Sequence, residues 1–175
     1  MRPQVRHFVN VVSKTLPICQ PIYEFGSLQV EGQGIIANLR PLFPDMEYVG
    51  CDIRPGNGVD RILDLHNIAL PNETAGTVLC LDTLEHVEYC HRACEEMHRI
   101  LKPGGVCVIS SVMYFPIHEF PHDYWRFTPS GFESLLCPFE TRYVGYIGDP
   151  LTPHTVLGIG VKGECDLEPF RAVWR

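Results

Sequence analysis

Two near-continuous apolar runs, Val78-Leu79-Cys80-Leu81 and Val106-Cys107-Val108-Ile109, constrain this chain more than any other feature. A strand with one wet face alternates apolar and polar residues, whereas a strand covered on both faces reads as unbroken apolar sequence. Between the runs, Ala93, Cys94, Met97, Ile100 and Leu101 recur at helical spacing, with Pro103 and Gly104 placed to terminate the helix. Strand, crossover helix and strand form a βαβ unit at the centre of an α/β sheet. Further strands are expected at Ile22 to Phe25, Glu47 to Asp52, Thr141 to Ile147 and Thr155 to Val161, with a weaker one around Arg61 to Leu65. The connector Ile53-Arg54-Pro55-Gly56-Asn57-Gly58-Val59-Asp60 is too short and too rich in breakers for a crossover helix, since a parallel connection ordinarily takes about a dozen residues or more. It predicts a trimmed helix after the second strand. Gly148 to His154 is short enough for an antiparallel hairpin between the last two strands. At 175 residues and 45% hydrophobic content, residues 1–175 are expected to form one domain.

Ligands of open α/β sheets sit at the carboxyl ends of strands where strand order reverses, and an acid ending the second strand binds ribose hydroxyls. Tyr23-Glu24-Phe25-Gly26-Ser27 ends one strand and Tyr48-Val49-Gly50-Cys51-Asp52 the next, which points to an adenosine-containing ligand. A pyrophosphate would need G-x-G-x-x-G, and Gly26 is followed instead by Ser27-Leu28-Gln29-Val30-Glu31. Glu24 and Asp82, both at strand ends, would repel phosphates but suit a cation. S-adenosyl-L-methionine (SAM) carries adenosine, a sulfonium and an ammonium, and no phosphate.

From about Ile22 to Gly163 the chain resembles the class I SAM-dependent methyltransferases, in particular small bacterial ones of the methyltransferase-11 type. The resemblance rests on Glu24-Phe25-Gly26-Ser27, Asp52, Ile62-Leu63-Asp64-Leu65, Leu81-Asp82-Thr83-Leu84-Glu85-His86-Val87 and Leu101-Lys102-Pro103-Gly104-Gly105, in this order and spacing. It implies a Rossmann-like, mostly parallel seven-stranded sheet with an antiparallel C-terminal strand. It also implies transfer of a methyl group from SAM to an oxygen, nitrogen or carbon of a small molecule, with S-adenosyl-L-homocysteine as product. The cofactor residues it designates are Glu24, Gly26, Ser27, Asp52, Ile53, Asp64, Leu65, His66, Asp82 and Thr83. Asp52 would hold the ribose, Asp64 the adenine amino group, and Leu65 or His66 would flank the ring. Glu85 could instead simply cap the following turn, and His86 could serve packing alone. The chain departs from the family at Leu28, where a second glycine usually stands, and again after Asp52. These departures motivate an alternative: a methyltransferase-like protein that binds SAM without turnover, or a partner subunit. A nicotinamide-dependent oxidoreductase is disfavoured by the absent phosphate loop.

Pro116 to Pro129 is the most polar-aromatic stretch and follows a central strand, where such loops commonly cover substrates. His118, His122 and Tyr124 are its candidate catalytic residues; either histidine could act as a base, imidazole being the side chain that ordinarily changes charge near neutral pH. The purely structural alternative pairs Asp123 with Arg126, packs Trp125 and Phe127 on the core, and has Thr128 cap a helix from Pro129 to Leu136. His118-Glu119-Phe120-Pro121-His122 has the letters of H-E-x-x-H, but Pro121 opposes the helix that would align the histidines, and no C-x-x-C pair is present, so no metal is expected.

A net charge of −7 and a pI near 5.6 argue against a nucleic-acid surface and leave a small-molecule partner. Cys51, Cys80 and Cys107 lie within apolar strands and read as reduced core residues. No run approaches the roughly 18 apolar residues of a membrane helix and no secretory signal is evident, so the expected location is cytoplasmic.

Overall fold

The two apolar runs lie in β4 (Ala75–Leu81) and β5 (Leu101–Val112), which pair in parallel with Cys80 opposite Ile109. The computed structural model describes residues 1–174 other than 31, 33, 119 and 120. Along both strands the side chains alternate between two separate cores. Val78, Cys80, Cys107 and Ile109 enter one, while Leu79, Leu81, Val106 and Val108 enter the other. Both faces are therefore dry, and each large side chain withdrawn from water contributes about 1.5–3 kcal/mol.

The remaining strands are β1 (Ile22–Phe25), β2 (Tyr48–Asp52), β3 (Arg61–Ile62), β6 (Thr141–Gly148) and β7 (Pro153–Val161). They complete a seven-stranded sheet in the order β3-β2-β1-β4-β5-β7-β6. β7 runs antiparallel to both β5 and β6 and the other pairings are parallel, as the sequence predicts. β3 is only two residues long, and residues 53–60 contain no helix. The edge is trimmed as expected.

The crossover helix α3 (Cys90–Ile100) buries Cys90, Ala93, Cys94, Met97 and Ile100. It ends earlier than Pro103 and Gly104 suggest, because Leu101 is already paired with Ala75 in the sheet. On the same face α4 (Pro129–Leu135) begins at Thr128, whose hydroxyl accepts from the Gly131 N–H, and buries Phe132 and Leu135.

The opposite face is covered by α1 (Pro3–Thr15) and α5 (Glu168–Val173), neither of which is expected from the sequence, and a single helical turn, α2 (Gly34–Ala37), stands between β1 and β2. α1 starts with proline in its first turn and buries Val5, Phe8, Val9 and Val12, an apolar stripe at helical spacing. Phe8 packs edge-on against Phe170 of α5. Cys51, Cys80 and Cys107 are buried free thiols, and burial pushes Cys51 and Cys107 up to about 12, which keeps them protonated and unreactive. For Cys80 the shift is likewise upward and burial is again its main cause. Among the described residues, no helix is long and apolar enough to cross a membrane.

Candidate functional site

Strand order reverses between β1 and β4, with β2 on one side of β1 and β5 beyond β4. The carboxyl ends of β1, β2 and β4 open there into a cavity of about 580 Å³, the size range of small-molecule sites. All thirteen residues singled out from the sequence line it: Glu24, Gly26, Ser27, Asp52, Ile53, Asp64, Leu65, His66, Asp82, Thr83, His118, His122 and Tyr124.

The first loop is shaped by what surrounds it. Gly26 has a φ of +79°, and a Cβ there would collide with the Thr83 side chain. The amides of Gly26 and Ser27 both donate to the Cys51 carbonyl, and the Gln29 amide donates to the Asn57 carbonyl at 2.9 Å. Leu28 lies against Gly56, where a Cβ would strike its methyl group. The two departures from the family pattern are thus one feature. The leucine in the first loop packs on the glycine-rich connector that replaces the helix.

Carboxylates dominate the cavity wall: Glu24, Asp52, Asp64, Asp82, Glu85 and Glu88, against the guanidinium groups of Arg2 and Arg54. Glu24 is only 6% exposed, and burial raises its carboxyl from 4.5 to about 7 despite a 2.8 Å hydrogen bond donated by Tyr48 Oη. The Tyr48 hydroxyl is itself pushed up, by burial and then by the Glu24 charge. Asp52 ends β2 with its side chain about one-tenth exposed, and its Oδ1 accepts from the Arg54 amide at 3.0 Å. Asp64 is more open and organises a turn, its Oδ1 accepting from the His66 amide and meeting His66 Nδ1, both at 2.8 Å. His66 Nε2 accepts from the Tyr89 amide, which fixes the ring against Tyr89. Leu65 is buried. Asp82 adopts a φ of +47°, uncommon for a residue with a side chain. Its Oδ1 accepts from Ser110 Oγ at 2.9 Å and from Arg2 Nη2 at 3.0 Å.

The described residues of the 113–128 segment contribute Phe115, His118, Pro121, His122 and Tyr124 to the wall. Asp123 and Arg126 buckle this loop. Two guanidinium–carboxylate bonds of 2.5 and 2.7 Å join them, the His118 amide donates to Asp123 Oδ2, and Arg126 Nη2 donates to the Pro116 carbonyl. The Arg126 guanidinium holds the Asp123 carboxyl well below the usual carboxylate range. Tyr124 and Trp125 amides both donate to the Glu85 carbonyl, which ties the loop to the turn after β4. Phe127 is buried, but Trp125 is 46% exposed and is held through Nε1 donating to the Val87 carbonyl rather than by core packing. Glu119, considered beside His118 and His122 as a metal set, lies outside the described residues.

Two residues of the wall escaped the sequence reading. Arg2 reaches Asp82 from the far end of the chain, and no local spacing signals such a contact. Glu85 is not a turn cap: it is 1% exposed and accepts from Ser111 Oγ at 2.6 Å. Burial, with the nearby Asp82 charge, raises it to about 7. Its apolar neighbours Leu84 and Val87 were the available sign that this carboxylate points inward.

An acid-lined cavity at the switch point of a Rossmann-like sheet lies where open α/β folds take their ligands. Residues 32–109 match the family described as "Methyltransferase domain", bearing out the resemblance to the class I SAM-dependent methyltransferases. Solved structures agree on the fold. A chain of the complex between the Haloferax volcanii Trm112 methyltransferase activator and a methyltransferase superposes with a TM-score of 0.65 at 16% identity, covering 91% of this chain and 90% of that one. A SAM-dependent methyltransferase of Thermotoga maritima gives 0.61 at 19% identity, covering 91% and 92%. The methyltransferase CalH, in complex with S-adenosyl-L-homocysteine, gives 0.66 at 17% identity, covering 90% of this chain and 55% of that one. No curated protein matches the sequence.

Proposed function

We propose that residues 1–175 act as one SAM-dependent methyltransferase domain whose acceptor is a small molecule. The observation that carries this reading is the wall of the cavity: carboxylates at the ends of β1, β2 and β4 surround a space fit for a cationic nucleoside, and the path of the first loop offers no phosphate cradle. The donor set therefore fits SAM. Asp52 would accept hydrogen bonds from the ribose, Asp64, Leu65 and His66 would border the adenine, and Ile53 would lie beside it. Glu24, Gly26, Ser27, Asp82 and Thr83 would hold the methionine end, with Glu24 opposite the ammonium.

SAM supplies, when bound, a methyl group already activated by its sulfonium, and leaves as the thioether S-adenosyl-L-homocysteine. What the chain must do is bind, align the acceptor and keep water out. The acceptor forms its bond to the methyl carbon as the carbon–sulfur bond breaks, and its proton, where it has one, passes to a base. His118 and His122 face the cavity and are the candidates for that base, with Tyr124 as an orienting hydroxyl.

Incubation with SAM and a panel of small hydroxyl, amine and carbon-acid acceptors, followed by mass spectrometry, tests the reading. A methylated product formed together with S-adenosyl-L-homocysteine is the expected result. Bound SAM without product from any acceptor would favour the non-catalytic reading. The likeness to a chain from a methyltransferase–activator complex favours including a partner protein in that test before turnover is judged absent.

A further inference from the structure

We propose that Glu85, His86 and His118 form a binding site for a divalent first-row transition-metal ion on the wall of the cavity. Spacing along the chain gives no such set; the fold assembles it by laying the 113–128 loop over the turn Leu84–His86. One candidate ligand atom from each of the three residues lies within 4.8 Å of the others. The two imidazoles meet edge to face, with ring centroids 4.8 Å apart. Around an ion bound at 2.0–2.2 Å, neighbouring ligand atoms stand roughly 3.0–3.5 Å apart, so small side-chain rotations would close the set.

The hydrogen bonds around the rings leave Nε2 of each histidine with its lone pair. His86 Nδ1 faces the His122 carbonyl, which can only accept, so this nitrogen carries the proton and Nε2 keeps its lone pair. His118 Nδ1 lies 3.3 Å from both the Pro116 carbonyl and Asp123 Oδ2, acceptors that impose the same tautomer. An oxygen acceptor behind the non-coordinating nitrogen is the arrangement that orients histidine ligands at metal centres. Ser111 Oγ, donating at 2.6 Å, fixes the Glu85 carboxylate in turn.

Two imidazole nitrogens and one carboxylate oxygen suit zinc, iron(II), cobalt(II) or manganese(II) better than calcium or magnesium. All three residues line the cavity, so further coordination positions would open towards bound molecules, as at catalytic rather than structural sites. The use of the ion, to hold an acceptor oxygen and ease loss of its proton, rests on the methyltransferase reading and makes His118 a ligand, so that His122 alone stays available as the base. The existence of the site does not.

The test uses the full chain stripped with EDTA and titrated with cobalt(II), read by its visible absorption, then with zinc in competition. One ion per chain is expected. Glu85→Gln, His86→Ala and His118→Gln should each weaken zinc binding by about tenfold or more, while His91→Ala, on an exposed part of α3, should leave it unchanged. Absence of saturable uptake by the wild type overturns the proposal, as does uptake that the three variants do not alter. If changes in the buried turn prevent folding, His118→Gln, placed in the loop, decides between these outcomes. A parallel titration with S-adenosyl-L-homocysteine in EDTA separates the two readings: metal uptake without nucleoside binding refutes the methyltransferase proposal alone, and nucleoside binding without metal uptake refutes this one alone.

Discussion

Replacing Glu24 with glutamine should stabilise the protein at alkaline pH while impairing its ligand site. The carboxyl is 6% exposed and lifted from 4.5 to about 7, mainly by burial. Its proton is thus held more tightly in the folded than in the unfolded chain. Between pH 4.5 and 7 the unfolded state ionises first, so stability falls as pH rises through that window and the full cost is present above it. At about 1.4 kcal/mol for each tenfold change in proton affinity, the ionised carboxylate costs the fold about 3 kcal/mol. Glu24→Gln removes the charge and keeps an oxygen to accept from Tyr48 Oη. Urea unfolding should show the variant more stable than wild type by up to about 3 kcal/mol at pH 8 and nearly equal to it at pH 4.5. The corresponding rise in Tm at pH 8 is about 6–12 °C for a chain of this size. If Glu24 faces the ammonium of SAM, the ligand holds it ionised, so wild-type affinity should weaken as pH drops below 7 and the variant should lose that dependence. A variant no more stable than wild type at pH 8, or equally altered at both pH values, would refute the argument that burial strains this carboxylate.

Two further outcomes follow from the 113–128 loop. Arg126→Ala removes the partner of a nearly buried Asp123 and both bonds that close the loop, so hydrogen exchange should accelerate across residues 113–128 while β4 and β5 stay protected; uniform exchange would show that the buckle is dispensable. Tyr124→Phe, His118→Ala and His122→Ala should leave SAM affinity in EDTA unchanged, with at least one of them lowering turnover, and a larger loss at Tyr124 than at either histidine would indicate orientation rather than base catalysis. Three variants with wild-type turnover would remove the loop from acceptor handling.

Much of the sheet was legible because its signals are local. Doubly covered strands announce themselves as unbroken apolar runs, and the breaker-rich connector after Asp52 declared that no helix would fit there. α1 was missed although Val5, Phe8, Val9 and Val12 carry a helical stripe, because interruption by Arg6, His7 and Asn10 hides it from a search for continuous apolar sequence. The helix end was misplaced at Pro103 because pairing of Leu101 with Ala75, a tertiary demand, overrides the breaker two residues later. In the site, strand-end positions were readable from the pattern of motif and turn. The Arg2–Asp82 ion pair and the meeting of His118 with Glu85 and His86 join segments distant in sequence, and only the topology brings them together.

The central claim, that the cavity at the ends of β1, β2 and β4 binds SAM, is tested most directly by calorimetric titration of the wild type and of Asp52→Ala with S-adenosyl-L-homocysteine. The Asp52 carboxylate is nearly shielded from solvent, so its hydrogen bonds to the ribose should contribute about 1.5–3 kcal/mol. Saturable one-to-one binding by the wild type and a midpoint weakened by about 10- to 150-fold in a folded Asp52→Ala variant is the predicted result. No saturable binding by the wild type, or an unchanged midpoint in the folded variant, would contradict it.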